Sequence, residues 1–190
     1  MNKQVIIIDD FYEDPDAVRK NVLASTFDVF GNYPGARTGT VDAEQHEYLK
    51  KFFEDKVVGA PITYWPEEYN TSFQYTTEDD SSWIHHDNTT WAAVLYLSPD
   101  ADADTGTTLY THKETGIDTW DGIEDSPSDF NNTEILGAKS RDLWEENITV
   151  SNKYNRLLCY RGYQYHSSTK AGFGKDKEDG RLFQTFFFNT

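Results

Sequence analysis

The segment from Trp83 to Asp87 contains a histidine and an aspartate at a spacing that suits metal binding. In an extended strand the side chains alternate between faces, so His85 and Asp87 would point to the same side. One imidazole and one carboxylate supply two ligands of a 2-His-1-carboxylate site, which is typical of non-haem Fe(II) oxygenases. Two exposed polar residues at a strand end would give the same pattern, so the pair alone leaves both interpretations open.

A third ligand has to come from elsewhere in the chain, which contains five histidines in all. His166 ends a strand predicted over residues 163–166, and His112 is its competitor in another predicted strand. We favour His166 because the segment after it leads to Arg181, which opens an apolar strand. His46 is expected at the surface of a helix, where nothing near it completes a site.

Arg181 is the second residue whose position suggests chemistry. In the strand that it opens, one face carries Arg181, Phe183, Thr185 and Phe187. A guanidinium on such an apolar and hydroxyl-bearing face is costly unless an anion neutralises it. A carboxylate fits the planar guanidinium through paired hydrogen bonds. The alternative is an Asp or Glu of the protein itself, and the sequence alone leaves that choice open.

The predicted secondary structure changes near residue 60, from one strand and two helices to a series of short strands. Before it, the sequence predicts a strand over 5–8, a helix over 15–24 capped by Asp14, and a second helix capped by Asp42. Beyond it, short strands are predicted over 62–65, 71–76, 83–87, 91–98, 107–113, 155–160, 162–166 and 181–189, with a hairpin loop over 98–106. Residues 114–150 are interpreted as an insertion that is part helical around 134–146.

This order of elements predicts an α+β, mainly β fold. The expected architecture is a double-stranded β-helix, or jelly roll, with the N-terminal helices packed on one sheet. Residues 1–190 are expected to form a single domain, with 1–60 as the supporting part and 61–190 as the jelly-roll core.

Composition narrows the classes of partner. The chain has 17 Lys and Arg against 33 Asp and Glu, a net charge of −16, which disfavours nucleic acid and anionic membrane surfaces as partners. The single cysteine, Cys159, excludes an internal disulfide and is expected in the core. No apolar segment suits a signal peptide or a membrane span, so a soluble cytoplasmic protein is expected. Its oligomeric state cannot be predicted.

With these residues in place, the chain resembles the iron(II)- and 2-oxoglutarate-dependent oxygenases, especially the prolyl-4-hydroxylase-like branch, best over residues 69–189. The resemblance implies that His85, Asp87 and His166 hold Fe(II). It also implies that Arg181 binds the distal carboxylate of the cosubstrate 2-oxoglutarate and that O2 is consumed. The segments 106–116 and 155–162 look closer to a little-characterised subgroup associated with phages and bacteria.

The same resemblance suggests three further residues for the cosubstrate site. Tyr75, ten residues before His85, falls where the oxygen-sensing prolyl hydroxylases have an active-site tyrosine. Tyr96 resembles a tyrosine of that family that reaches the carboxylate of 2-oxoglutarate. Thr185, four residues after Arg181, matches a threonine of the family's pattern.

The function that follows is hydroxylation of a prolyl peptide or of a small amino-acid-like substrate, with release of succinate and CO2. Two alternatives remain at this point. One is a cupin-like metalloprotein that does not use 2-oxoglutarate, and the other is a non-enzymatic β-sandwich binding module. Affinity for 2-oxoglutarate that depends on Arg181 would separate the first alternative from the oxygenase, and metal binding would exclude the second.

Overall fold

The computed structural model describes residues 5–123 and 133–190. In chain order the elements are β1 Val5–Ile8, α1 Pro15–Leu23, β2 Ala36–Arg37, α2 Ala43–Phe52, β3 Phe73–Thr76, β4 Trp91–Tyr96, β5 Thr107–His112, β6 Trp144–Val150, β7 Leu157–Arg161, β8 His166–Ser168 and β9 Arg181–Phe188. A π-helical segment follows α2, and two short 3-10 segments precede β5 and β6.

The strands form two antiparallel sheets. A six-stranded sheet has the order β1-β7-β4-β9-β3-β2, and a three-stranded sheet has the order β6-β5-β8. Strand β9 lies inside the larger sheet, between β4 and β3. The prediction of a mainly β fold with few helices is therefore confirmed.

Both helices begin where their capping residues predict. The Asp14 carboxylate accepts a hydrogen bond from the Ala17 N–H at 2.9 Å, and proline occupies the first helical position. The Asp42 carboxylate accepts from the Gln45 N–H at 2.9 Å in the same way. The π-helical segment after α2 ends at Gly59, whose positive φ of 65° favours glycine.

The helices pack on one side of the six-stranded sheet, which we call the helix-covered face. Its core contains Phe53 from the end of α2 together with Leu95 of β4 and Phe186 of β9, all with essentially no exposed surface. Cys159 of β7 belongs to the same core, as predicted. The opposite side of the sheet, which we call the cavity face, carries the groups described below.

The predicted strand 83–87 does not form. His85 makes a single bridge with His166, whereas the Ile84 N–H donates to Ala138 and the Asp87 N–H donates to Gly162. Because neighbouring residues bond to three separate segments, no continuous ladder exists. The predicted strand 162–166 is also misplaced, since β8 begins at His166.

Two other segments differ from the prediction. Residues 144–150 form β6, which pairs with β5, so the end of the predicted insertion is part of the second sheet. Of the part-helical stretch predicted around 134–146, one 3-10 turn forms, over Arg141–Leu143. Residues 124–132 lie outside the described residues. The loop 98–106 connects β4 and β5 of different sheets and is therefore not a hairpin loop. Residues 62–65 make only an isolated bridge through Tyr64.

His46 is buried, contrary to the prediction that it lies at the helix surface. Only 3% of the residue is exposed, because Trp65 covers this part of α2. The Trp65 indole N–H donates to His46 Nδ1 at 3.0 Å, so this nitrogen accepts. The residue thus belongs to the packing between α2 and the sheet.

No helix in the part of the chain that the structure describes has both the length and the apolar character needed to traverse a bilayer.

Candidate metal centre

Three side chains that are distant in sequence meet beside the cavity face. The backbones of His85 and His166 exchange two hydrogen bonds, of 3.0 and 2.8 Å, and their ring centroids lie 4.5 Å apart. Asp87 Oδ2 is 3.3 Å from His166 Nε2. One ligand atom from each residue lies within 4.8 Å of the other two, and among the described residues this is the one such group of three. The structure thus brings together the predicted pair and the favoured third histidine.

Each imidazole is oriented by a backbone carbonyl two residues before it. His85 Nδ1 lies 2.9 Å from the carbonyl oxygen of Trp83, and His166 Nδ1 lies 2.7 Å from that of Gln164. A carbonyl can only accept, so in both rings the Nδ1 must carry the proton. In the neutral form of each ring the Nε2 then keeps its lone pair, which is the form in which histidine binds a metal.

The charges of the cluster also suit a cation. Burial, with a contribution from nearby His166, lowers the pKa of His85 to about 4, so this ring is neutral at pH 7. Burial acts to raise the pKa of Asp87, but the neighbouring His166 outweighs it and the net shift is downward. At pH 7 the cluster therefore contains a neutral His85 imidazole and the Asp87 carboxylate.

A cavity of about 420 Å³ opens at the cluster. Its wall includes the three clustered side chains together with Arg181 and Thr185 of β9. Its volume lies within the range of small-molecule sites in proteins. The ligand atoms of the cluster therefore have access to a space that can hold a small molecule.

Arg181 is buried in this wall, with 3% of the residue exposed. Its Nε donates to the Thr105 carbonyl at 3.1 Å and one Nη to the Gly106 carbonyl at 3.3 Å. Burial lowers the pKa of the guanidinium, and no acidic side chain within residues 5–123 and 133–190 forms an ion pair with it. Of the two interpretations left open by the sequence, an internal acid is thus not found in the described part.

Tyr96 lies beside Arg181, whereas Thr185 lies four residues further along the same face of β9. The guanidinium carbon of Arg181 is 5.5 Å from the centroid of the Tyr96 ring, and the Tyr96 hydroxyl shares a 2.8 Å hydrogen bond with Thr107. Thr185 follows on the same face of β9 and lines the cavity, where its hydroxyl lies 3.4 Å from the Ser72 carbonyl. Tyr96 thus packs beside the guanidinium, and Thr185 faces the cavity further along β9.

Tyr75 is not part of this site. Side chains of β3 alternate, and Tyr75 points to the helix-covered face, where its ring centroid lies 5.1 Å from that of Phe27. Its neighbour Gln74 lines the cavity instead. The prediction of Tyr75 as a cosubstrate-binding residue is therefore wrong, because the pleat turns it away.

His112, the competing third ligand, also lies elsewhere. Its Nδ1 is 2.9 Å from the Thr115 hydroxyl, and its ring packs edge-on against Trp144 at 5.0 Å. Both contacts belong to the end of the three-stranded sheet. His112 is thus outside the cluster.

Sequence analysis missed several residues of the cavity wall, among them Tyr33, Arg37 and Gln74. Arg37 lies in a strand of only two residues, which is too short to give a periodic signal. Gln74 lies next to Tyr75 in β3 and faces the opposite side of the sheet. Nothing in the local pattern marks any of the three.

The cluster fits a divalent metal ion on its own chemistry. The 3.3 Å between His166 Nε2 and Asp87 Oδ2 is close to the roughly 3 Å that separates adjacent ligands at ordinary bond lengths around an octahedral ion. A set of two imidazoles and one carboxylate leaves further coordination positions open toward the cavity. The cluster and the buried guanidinium together can hold a metal and an anionic chelator.

Comparisons with known proteins give one family and one fold. A family model described as a family of unknown function (DUF6445) matches residues 1–188. No curated protein matches the sequence.

Among solved structures, HygX from Streptomyces hygroscopicus, with nickel, 2-oxoglutarate and hygromycin B bound, is similar with a TM-score of 0.60 and 13% identity, covering 98% of this chain and 82% of HygX. A prolyl hydroxylase from Trichoplax adhaerens, in complex with a hypoxia-inducible-factor peptide fragment, has a TM-score of 0.58 and 13% identity, covering 98% of this chain and 84% of that one. A Pseudomonas putida prolyl-4-hydroxylase has a TM-score of 0.55 and 12% identity, covering 100% and 94%. The resemblance predicted from sequence is confirmed as a shared fold with Fe(II)- and 2-oxoglutarate-dependent oxygenases.

Proposed function

The chain belongs to the DUF6445 family, and we propose that it is an Fe(II)- and 2-oxoglutarate-dependent oxygenase. One observation carries this function: a 2-His-1-carboxylate cluster and a buried arginine without an acidic partner in the described residues line the same cavity. A metal site of this ligand type accounts for the first feature. A dicarboxylate that reaches from the metal to the arginine accounts for the second.

His85 and His166 would hold Fe(II) through Nε2, and Asp87 through its carboxylate. When bound, Fe(II) and 2-oxoglutarate supply the oxidising chemistry, in which O2 is consumed, succinate and CO2 are released, and a C–H bond is hydroxylated. The chain itself orients the ligands in advance, since both Nδ1 protons are already bonded to backbone carbonyls. Neutral His85 requires no deprotonation before it binds the metal at pH 7.

Arg181 would bind the distal carboxylate of 2-oxoglutarate. Its remaining donors lie in a buried environment where a charge-assisted hydrogen bond is strong. The Tyr96 hydroxyl would add a hydrogen bond to the same carboxylate, and Thr185 would contact the cosubstrate from further along the wall. Tyr96 contributes through its position beside the guanidinium, and Thr185 through its place on the cavity wall.

Several broader expectations belong to the same proposal. The two sheets would form a double-stranded β-helix within one oxygenase domain that spans residues 1–190. The substrate would be a small amino-acid-like molecule or a prolyl peptide, in keeping with the small molecule and the peptide bound by the similar structures. The charge of −16 disfavours nucleic acid, and the enzyme would act in the cytoplasm.

The direct test is turnover of 2-oxoglutarate. Purified protein with Fe(II), 2-oxoglutarate and O2 should form succinate even without a substrate. Asp87→Ala and Arg181→Ala should lower the rate at least about a hundred-fold, because each removes a ligand of the metal or of the cosubstrate. The matched control is His112→Gln, which removes a histidine outside the cluster and should keep the rate within about twofold.

Two results would overturn the function. One is wild-type protein that neither binds Fe(II) nor consumes 2-oxoglutarate. The other is metal binding without any Arg181-dependent affinity for 2-oxoglutarate, which would favour a metalloprotein that does not use this cosubstrate.

A further inference from the structure

A second arginine, Arg37, lies on the wall of the same cavity. In the six-stranded sheet Arg37 is directly opposite Gln74 of β3, and Gln74 is directly opposite Phe183 of β9. Directly opposite residues share a face, so all three side chains belong to the cavity face, and all three line the cavity. Two strand spacings, roughly 10 Å, separate the backbone of Arg37 from that of β9. Arg37 and Arg181 therefore serve different parts of the cavity.

The Arg37 guanidinium is held in one orientation. Its Nε donates to Gln74 Oε1 at 2.7 Å, and Gln74 is itself fixed because its Nε2 donates to the Pro34 carbonyl at 2.6 Å. The Tyr33 ring lies against the guanidinium, with 3.7 Å between the guanidinium carbon and the ring centroid. Stacking on the ring covers one surface of the plane and leaves the Nη edge available.

That edge has no acceptor from the described residues. The side chain makes one hydrogen bond, through Nε, and the four Nη hydrogens remain. The chain has 33 acidic residues against 17 Lys and Arg, yet no acidic residue of the described segments pairs with Arg37. Burial lowers the pKa of the guanidinium, while Tyr33 and the cluster residue Asp87 act in the opposite direction. A fixed, partly buried cation thus faces the cavity with unused donors.

We infer that Arg37 determines the substrate class, by binding the carboxylate of a small substrate in the same cavity that holds the metal cluster. This inference rests on the proposed function, since it assigns the remaining space of that site. A carboxylate matches the paired Nη donors, and the cavity volume suits a small molecule beside the cosubstrate. The net charge of −16 disfavours a large acidic partner at the mouth.

The test uses full-length protein loaded with redox-inert Ni(II) and saturating 2-oxoglutarate. N-acetyl amino acids and their uncharged amides, beginning with N-acetyl-L-proline and N-acetyl-L-prolinamide, are titrated by calorimetry. At least one acid of the panel should bind, and its amide should bind at least ten-fold more weakly. Arg37→Gln should weaken the acid about ten- to a hundred-fold and leave the amide unchanged.

Two further variants keep this test decisive. Arg37→Lys retains the charge but not the two parallel donors, so its affinity for the acid should fall between those of wild type and Arg37→Gln. The matched control is Lys51→Gln, which removes an exposed cation from α2 and should bind the acid as wild type does. If Arg37→Gln fails to fold by circular dichroism, Arg37→Lys decides the question.

Three outcomes would overturn the inference. They are equal binding of acid and amide, unchanged acid affinity in the Arg37 variants, and no binding by any acid of the panel. A loss of 2-oxoglutarate affinity in Arg37→Gln as large as in Arg181→Ala would also do so, because the carboxylate bound would then be that of the cosubstrate. Succinate formation by the control variant Lys51→Gln without substrate should match wild type. Failure of the proposed function is distinguished by wild-type protein that forms no succinate.

Discussion

The two faces of strand β9 differ in how completely their side chains are packed and paired. Toward the helices, Phe186 and Phe188 are fully buried, and their ring centroids lie 4.7 and 5.3 Å from that of Phe53. The polar residue on that face, Gln184, is satisfied, since it accepts from the Tyr12 hydroxyl at 2.7 Å and donates to the Thr71 carbonyl at 2.8 Å. Toward the cavity, Arg181 has no acidic partner in the described residues.

Within this one strand, the residues of one face contribute to stability and those of the other face are available for binding. Alternate side chains of β9 either pack in the core or face the cavity, where they can bind a ligand. A closed core on one face can offset the cost of an unneutralised charge on the other, because folding depends on the sum of both. The comparison predicts that substitutions on the helix-covered face lower the stability more than substitutions on the cavity face.

The largest expected effect is on the helix-covered face. Phe186→Ala should lower the free energy of unfolding by about 3–5 kcal/mol, because it leaves a cavity among tightly packed rings. Phe183→Ala on the cavity face is the matched control and should cost less, since its ring borders an existing cavity. Urea unfolding of both variants measures the difference, and equal losses would contradict the proposed division of the strand.

A change of pH should have an intermediate effect on the free energy of unfolding. The pKa of His85 is about 4 in the folded protein and about 6.5 in the unfolded chain, so the unfolded chain binds more protons between these values. The free energy of unfolding of the metal-free protein should therefore fall, on the order of 1–2 kcal/mol from pH 7.5 to pH 5, through His85. Urea titrations at both pH values should show a smaller fall in His85→Gln. An identical fall in both proteins would mean that His85 does not titrate as inferred.

The smallest effect should come from Arg181→Leu in the absence of ligand. Removal of an unneutralised buried charge should leave the free energy of unfolding unchanged or raise it by about 1 kcal/mol. The measurement is thermal unfolding of metal-free protein, and a second series compares Ni(II)-loaded protein with and without 2-oxoglutarate. Wild type should gain stability from the ligand and the variant should not. A large destabilisation of the variant without ligand would show instead that Arg181 holds the fold together.

Features encoded by neighbouring residues were predictable from sequence. Asp14 and Asp42 each accept a bond three residues ahead, so both helix starts follow from local chemistry. Arg181 was recognised because a charge interrupts an apolar alternation. His85 and Asp87 share a side as predicted, although only an isolated bridge forms there.

Features that depend on distant segments were not predictable. Trp65 buries His46 from 19 residues away, and no pattern around the histidine announces it. Residues 144–150 became a strand because β5 offers a partner, which overrides their polar composition. Tyr75 faces the helices and Gln74 faces the cavity because the pairing of β3 with β9 sets which side chains of β3 point to each face.

The carbonyls of Trp83 and Gln164 have a consequence for how this centre can change over evolutionary time. Main-chain oxygens are present whatever amino acid occupies positions 83 and 164, so drift at those positions leaves the tautomers intact. Substitutions elsewhere in the wall can therefore change which molecule the cavity accepts while both imidazoles keep their orientation.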